Sequence, residues 1–195
     1  MKQIIIFASG SGTNTQRIIE YFHGGTNARI AAVYCNRPEA GVVTRAKNLG
    51  VDVRVFARDE FISGIITDEL VIKNPDLIVL AGFLWLIPKT LIAAFPNKII
   101  NIHPALLPKH GGKGMYGQKV HTAVIETGDA ESGLTIHYVD EKYDHGSIIF
   151  QAKCRVDPGD TPETLAQKIH KLEHRYYPVI IEQVLDQPDA RITAF

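Results

Sequence analysis

The chain has 195 residues, and its 21 basic and 21 acidic side chains cancel, which leaves no global charge to draw it to nucleic acid or to an anionic membrane. That length suits one domain over residues 1–195, with roughly 70% of the unfolded surface buried on folding, and the longest apolar run, Leu77 to Ile87, is too short to span a bilayer. Cys35 and Cys154 are far apart and lack metal-like spacing, so neither a disulfide framework nor a zinc cluster is indicated and a reducing, cytoplasmic setting fits.

In chain order, short β-branched runs alternate with segments of helical character. Met1 to Ala8 has an apolar core too short for a signal peptide and breaks straight into glycines, so Ile4 to Ala8 reads as a strand. Arg29 to Tyr34, Asp52 to Phe56, Leu77 to Ala81 and Lys98 to Ile102 read likewise, mostly continuous rather than alternating, as strands buried on both faces do. Thr13 to Phe22, Ala40 to Leu49, about Phe61 to Lys73, and Pro88 to Ala94 are the predicted helices between them. Repeated βα units predict an α/β fold, a doubly wound, mostly parallel Rossmann-like sheet with right-handed crossovers.

Beyond Pro108 the pattern changes. His110 to Gly117 holds four glycines in eight residues, which predicts a mobile loop. A short helix over Lys119 to Thr127 follows, and then two alternating segments, Gly133 to Val139 and Ser147 to Val156, predict an antiparallel closing part of the sheet. Pro162 to about Leu185 is the last predicted helix, bent or interrupted near Pro178.

Three stretches carry chemistry. The first is Asn101-Ile102-His103-Pro104-Ala105-Leu106-Leu107-Pro108, where period 2 puts an amide and an imidazole on one face at the end of a buried strand, and two prolines stiffen the elbow after it. The second is Ser9-Gly10-Ser11-Gly12-Thr13-Asn14, between a strand and a helix, where small residues and free helix N–H groups suit a phosphate. It is neither a Walker loop nor Gly-x-Gly-x-x-Gly, which favours a monophosphate over a pyrophosphate, and a glycine turn capped by Thr13 or Asn14 is the plainer alternative. The third is the segment from Ile136 to Gly146, where Asp144 can fold back towards His103 and keep its imidazole charged, while Asp140 and Glu141 read as a solvated turn. His110, His121, His137 and His145 read as structural or solvated, because none has metal-like spacing with acidic partners. Trp85 reads as core more readily than as a stacking platform.

With the run Leu80-Ala81-Gly82-Phe83-Leu84-Trp85-Leu86-Ile87-Pro88, these stretches resemble the folate-dependent formyltransferases over nearly the whole chain. The resemblance implies transfer of a formyl group from 10-formyltetrahydrofolate to the amine of 5-phosphoribosylglycinamide in purine synthesis. It implies that His103, Asn101 and Asp144 are the catalytic trio, that Gly12, Thr13 and Asn14 hold the ribonucleotide phosphate, and that Glu173 contacts its ribose. Leu84, Trp85, Leu86 and Ile87 would line the pterin pocket together with Asn101, and Arg58 is the candidate for the arginine that the family often sets on the folate. No metal, nucleic acid or membrane partner is implied, and a homodimer is compatible with it. Rival readings are a methionyl-tRNA formyltransferase, whose nucleic-acid-binding extension is missing, a formyltetrahydrofolate hydrolase, whose regulatory domain is missing, and a non-catalytic nucleotide-binding module, which leaves the trio unexplained.

Overall fold

The structure, a computed structural model, describes residues 1–25 and 27–187. Its centre is a seven-stranded sheet in the order β3-β2-β1-β4-β5-β6-β7. The strands are β1 (Lys2–Ala8), β2 (Ala28–Cys35), β3 (Val53–Val55), β4 (Leu77–Leu80), β5 (Ile99–His103), β6 (Glu131–Tyr138) and β7 (Ile148–Arg155). β1 to β5 pair in parallel, and β6 and β7 close the sheet antiparallel, as the alternating patterns predict.

Alternation along β1 explains the layers. Ile4, Ile6 and Ala8 face α1 (Thr13–His23), α2 (Gly41–Asn48) and α7 (Pro162–Asp186), whereas Ile5 and Phe7 face α3 (Arg58–Ser63), α4 (Ile65–Lys73) and α5 (Lys89–Ala94). Strands covered on both faces need apolar residues at every position, which is why β1 and β4 read as continuous rather than alternating. α6 (Gln118–Thr127) connects β5 to β6, and its Val124 packs against Leu165 and Ile169 of α7.

Two helical expectations are corrected. The predicted helix from Phe61 to Lys73 is two helices, α3 starting at Arg58 and α4 at Ile65, because Gly64 between them has φ 97°, a conformation that ends a right-handed helix. The last helix is not interrupted at Pro178: α7 runs through it to Asp186. A proline there forgoes one backbone hydrogen bond. The buried row Tyr177, Ile180, Ile181 and Val184 keeps the helix on the sheet, and tertiary burial outweighs the local preference. α7 is also fastened by Tyr177, whose buried hydroxyl donates to the Leu80 carbonyl at 2.9 Å at the end of β4. This fixes where Glu173, one turn earlier, must sit.

Candidate active site

β1 lies between β2 and β4, so the connections leaving its carboxyl end and that of β4 run to opposite sides and open a crevice. Two hydrogen bonds set its width: the Ser9 amide donates to the Gly82 carbonyl at 3.1 Å, and the Leu84 amide donates to the Ser9 side-chain Oγ at 3.1 Å. The cleft has a volume of about 630 Å³, and its walls are the loop at 9–14, the segment 80–87, residues 101–104, the glycine-rich loop at 112–117, Asp144 and Glu173. This is the size of a small-molecule site.

Asn101, His103 and Asp144 meet at its floor. Asn101 and His103 share a face of β5, as period 2 predicts, and the antiparallel register sets them opposite His137 and Thr135 of β6. Asp144, in the left-handed region at φ 54°, turns its carboxylate back over β5. One oxygen lies 3.4 Å from His103 Nδ1 and accepts from the Gly112 amide at 3.0 Å; the other accepts from Asn101 Nδ2 at 3.4 Å. The glycine that follows it is required, since a Cβ at Gly146 would strike the Tyr138 carbonyl.

His103 is 3% exposed, and this revises the expectation that Asp144 keeps it charged. Burial lowers the imidazole pKa more than the Asp144 carboxylate and the His110 carbonyl raise it, so the ring loses its charge below the ordinary histidine value. Burial also pushes the Asp144 carboxyl up, yet the nearby His137 ring, the His103 charge and the Gly112 amide together hold it below the usual range. The carboxylate is therefore ionised, and the imidazole is poised to gain charge when an anion forms beside it.

His137 is the residue that sequence reasoning set aside and the structure brings in. Its Nδ1 lies 2.8 Å from the Tyr138 carbonyl, which only accepts, so Nδ1 carries the proton and Nε2 accepts from Asn101 Nδ2 at 3.1 Å. Both Asn101 amide hydrogens are thus engaged, by His137 and by Asp144. Two other histidines have acidic partners that spacing did not show: His110 with Asp129 at 2.8 Å and His145 with Asp140 at 2.8 Å. His121 lines the cleft as a buried group, its pKa pushed down to about 4 by burial first and by the neighbouring His170 and His103 charges second.

At the other end, Gly12 (φ 81°) precedes α1, and no side chain caps the helix, so the capped-turn alternative does not hold and the first amides stay available. Asn14 instead donates to Glu173 Oε2 at 2.9 Å, joining the α1 start to α7. Glu173 is 5% exposed, and burial raises its carboxyl pKa, the Asn14 hydrogen bond and the His170 charge opposing. Arg37, just beyond β2, also lines the cleft and was not singled out from the sequence. Leu84, Trp85, Leu86 and Ile87 all line the opposite wall. Trp85 leans on Phe56, Phe61 and Phe83, while Arg58 lies outside the lining with its guanidinium over the Trp85 ring at 5.6 Å.

Residues 2–181 match the family model described as formyl transferase. A relative from Arabidopsis thaliana, named phosphoribosylglycinamide formyltransferase, chloroplastic, is 42% identical over 193 residues, covering 95% of this chain, and the chain spans 66% of that relative's length. The Bacillus subtilis phosphoribosylglycinamide formyltransferase is 38% identical over 191 residues and is covered to 95%, as is this chain. The crystal structure of phosphoribosylglycinamide formyltransferase from Bacillus halodurans superposes with a TM-score of 0.86 at 35% identity, covering 96% of this chain and 97% of that one. The chain belongs to the formyl transferase family.

Proposed function

We propose that this protein transfers the formyl group of 10-formyltetrahydrofolate to the amine of 5-phosphoribosylglycinamide, in purine biosynthesis. The observation that carries the reading is the convergence of Asn101, His103 and Asp144 on one floor of a cleft with an uncapped helix start at one end and an apolar wall at the other. The family relatives bearing that activity by name support it. The ribonucleotide phosphate rests on the amides after Gly12, with Thr13 and Asn14 beside it, and the ribose reaches Glu173. The pterin lies along residues 84–87, whose lining is apolar and whose backbone, Leu84 N excepted, is not tied to the Ser9 loop.

The amine nitrogen attacks the formyl carbon, and the carbonyl oxygen becomes an alkoxide. Its negative charge lifts the affinity of the buried His103 for a second proton, drawn from solvent and returned when the alkoxide collapses, which offsets the burial penalty at the step where the charge is needed. Asn101 exchanges its longer hydrogen bond, 3.4 Å to Asp144, for one to the alkoxide. Collapse breaks the bond from carbon to the folate nitrogen, the electron pair leaves with that nitrogen, and the proton lost by the amine replaces it through a water held by Asp144. We also read residues 1–195 as one formyltransferase domain in a reducing cytoplasm with small-molecule partners: a single sheet runs through the described chain, and two free thiols lie apart in it.

A kinetic double-mutant cycle tests the trio. Asp144→Asn should keep the fold and ribonucleotide binding while kcat falls at least about 10²-fold, His103→Ala should be at least as damaging, and the double variant should be little worse than the worse single one. Variants that unfold earlier but keep wild-type kcat would make these residues structural.

A further inference from the structure

Two residues other than glycine with left-handed backbones flank His103, and each aims an acceptor at its ring. Asp144 (φ 54°) presents a carboxylate oxygen 3.4 Å from Nδ1, and His110 (φ 53°) presents its backbone carbonyl 2.8 Å from Nε2. Such a conformation is uncommon outside glycine, though aspartate and histidine adopt it more readily than most residues. The His110 side chain is held by Asp129, just past the end of α6, which takes the His110 ring nitrogen at 2.8 Å on one oxygen and Lys109 Nζ at 3.1 Å on the other. Neither His110 nor Asp129 lines the cleft, so their influence on chemistry runs through His103.

We propose that Asp129 is a positioning residue for formyl transfer: by clamping the His110 side chain it holds the His110 carbonyl on His103 and so decides which imidazole nitrogen carries the permanent proton. This rests on His103 being the group that takes up charge during transfer. A carbonyl oxygen accepts only, so the first proton sits on Nε2 and the exchangeable one on Nδ1, facing Asp144. Without the His110 carbonyl the ring has an equally good alternative, Nδ1–H donated to Asp144 with a bare Nε2, and the nitrogen that titrates is then on the wrong side. The other titratable rings around it, His137 of β6, His121 of α6 and the side chain of His110 itself, add positive charge when protonated and oppose its own. The two acceptors are what favour its charged form against burial. Since His110 opens the glycine-rich loop and Gly112 donates to Asp144, one clamp orders the loop root and the catalytic ring together.

The test is ¹⁵N NMR of the His103 imidazole in the intact protein, beside steady-state kinetics. Wild type should show the Nε2–H form above its midpoint. Asp129→Ala should show mixed tautomers, a midpoint moved to lower pH because an acceptor that favours the charged form is gone, and kcat reduced about 10-fold, part of the ~10²–10⁴-fold such a proton-transfer group supplies, with the ribonucleotide KM little changed. Asp129→Asn, which keeps an acceptor for His110, should restore the wild-type tautomer, and Lys109→Ala should not disturb it. A folded Asp129→Ala with an unchanged tautomer and midpoint overturns the proposal. Should that variant fail to fold, His110→Ala decides: it removes the ring that Asp129 holds and should show the same mixed tautomers, and an unchanged Nε2–H form overturns the proposal. A wild type that fails to transfer formyl at all would instead sink the functional reading, while the tautomer measurement still judges the clamp.

Discussion

Residues of the cleft that share one strand were legible from spacing, those in the quoted motifs from the family resemblance, and those set only by the pairing of strands were not. Asn101 and His103 follow from period 2 on β5 alone. His137 needed the register of β6 against β5, and Arg37 needed the neighbouring of β2 and β1 in the sheet, neither of which a local pattern encodes. The balance of forces on His103 was only half legible for a related reason: the acidic partner that favours its charge is visible in sequence, whereas burial to 3% exposure, which opposes it, is a property of the assembled fold. Gly12 shows a further limit. It invites a bulky substitution as a probe of the phosphate site, but a Cβ there would lie 2.6 Å from Val42 in a left-handed backbone, so Gly12→Val would damage the α1–α2 contact itself. Gly10 lines the same wall and has open space where its Cβ would stand. Gly10→Val is expected to raise the KM for the ribonucleotide far more than that for the folate, with an unchanged melting temperature; equal effects on the two substrates would place the phosphate elsewhere.

Among the elements, the parallel strands and most helices follow from apolar runs, caps and prolines, and the two corrected ones show what overrides them. Gly64 divides a helix by its backbone, and Pro178 fails to divide one because the buried face of α7 holds it together. The loop at 110–117 departs from regular structure. Positive φ at His110, Gly112, Gly114 and Gly117 means that much of its shape is one ordinary residues avoid, and a few tethers hold it, chiefly His110 to Asp129 and Gly112 to Asp144. A segment so weakly committed opens at low free energy. Limited proteolysis should cut it in the empty enzyme, and folate and ribonucleotide analogues together should protect it. Cleavage at the same rate with both bound would show that the loop is not a lid.

For the molecule as a whole, the topology does the positioning. Placing β1 between β2 and β4 opens the crevice, the antiparallel turn of β6 and β7 returns Asp144 to the end of β5, and α7 lays Glu173 against the start of α1. Every described wall of the cleft thus comes from a different part of the chain, which is why the sheet pattern alone supports no activity and the motifs alone fix no geometry. Among the described residues no helix is long and apolar enough to cross a membrane. The acceptor is the claim most open to direct measurement: 10-formyltetrahydrofolate is offered to the enzyme with glycinamide ribonucleotide, with water alone, or with charged initiator tRNA, and tetrahydrofolate release is followed alongside formylated product. Stoichiometric formylation of the ribonucleotide, with negligible turnover in the other two arms, is the predicted result; release of formate without acceptor, or transfer to the tRNA in preference, would contradict it.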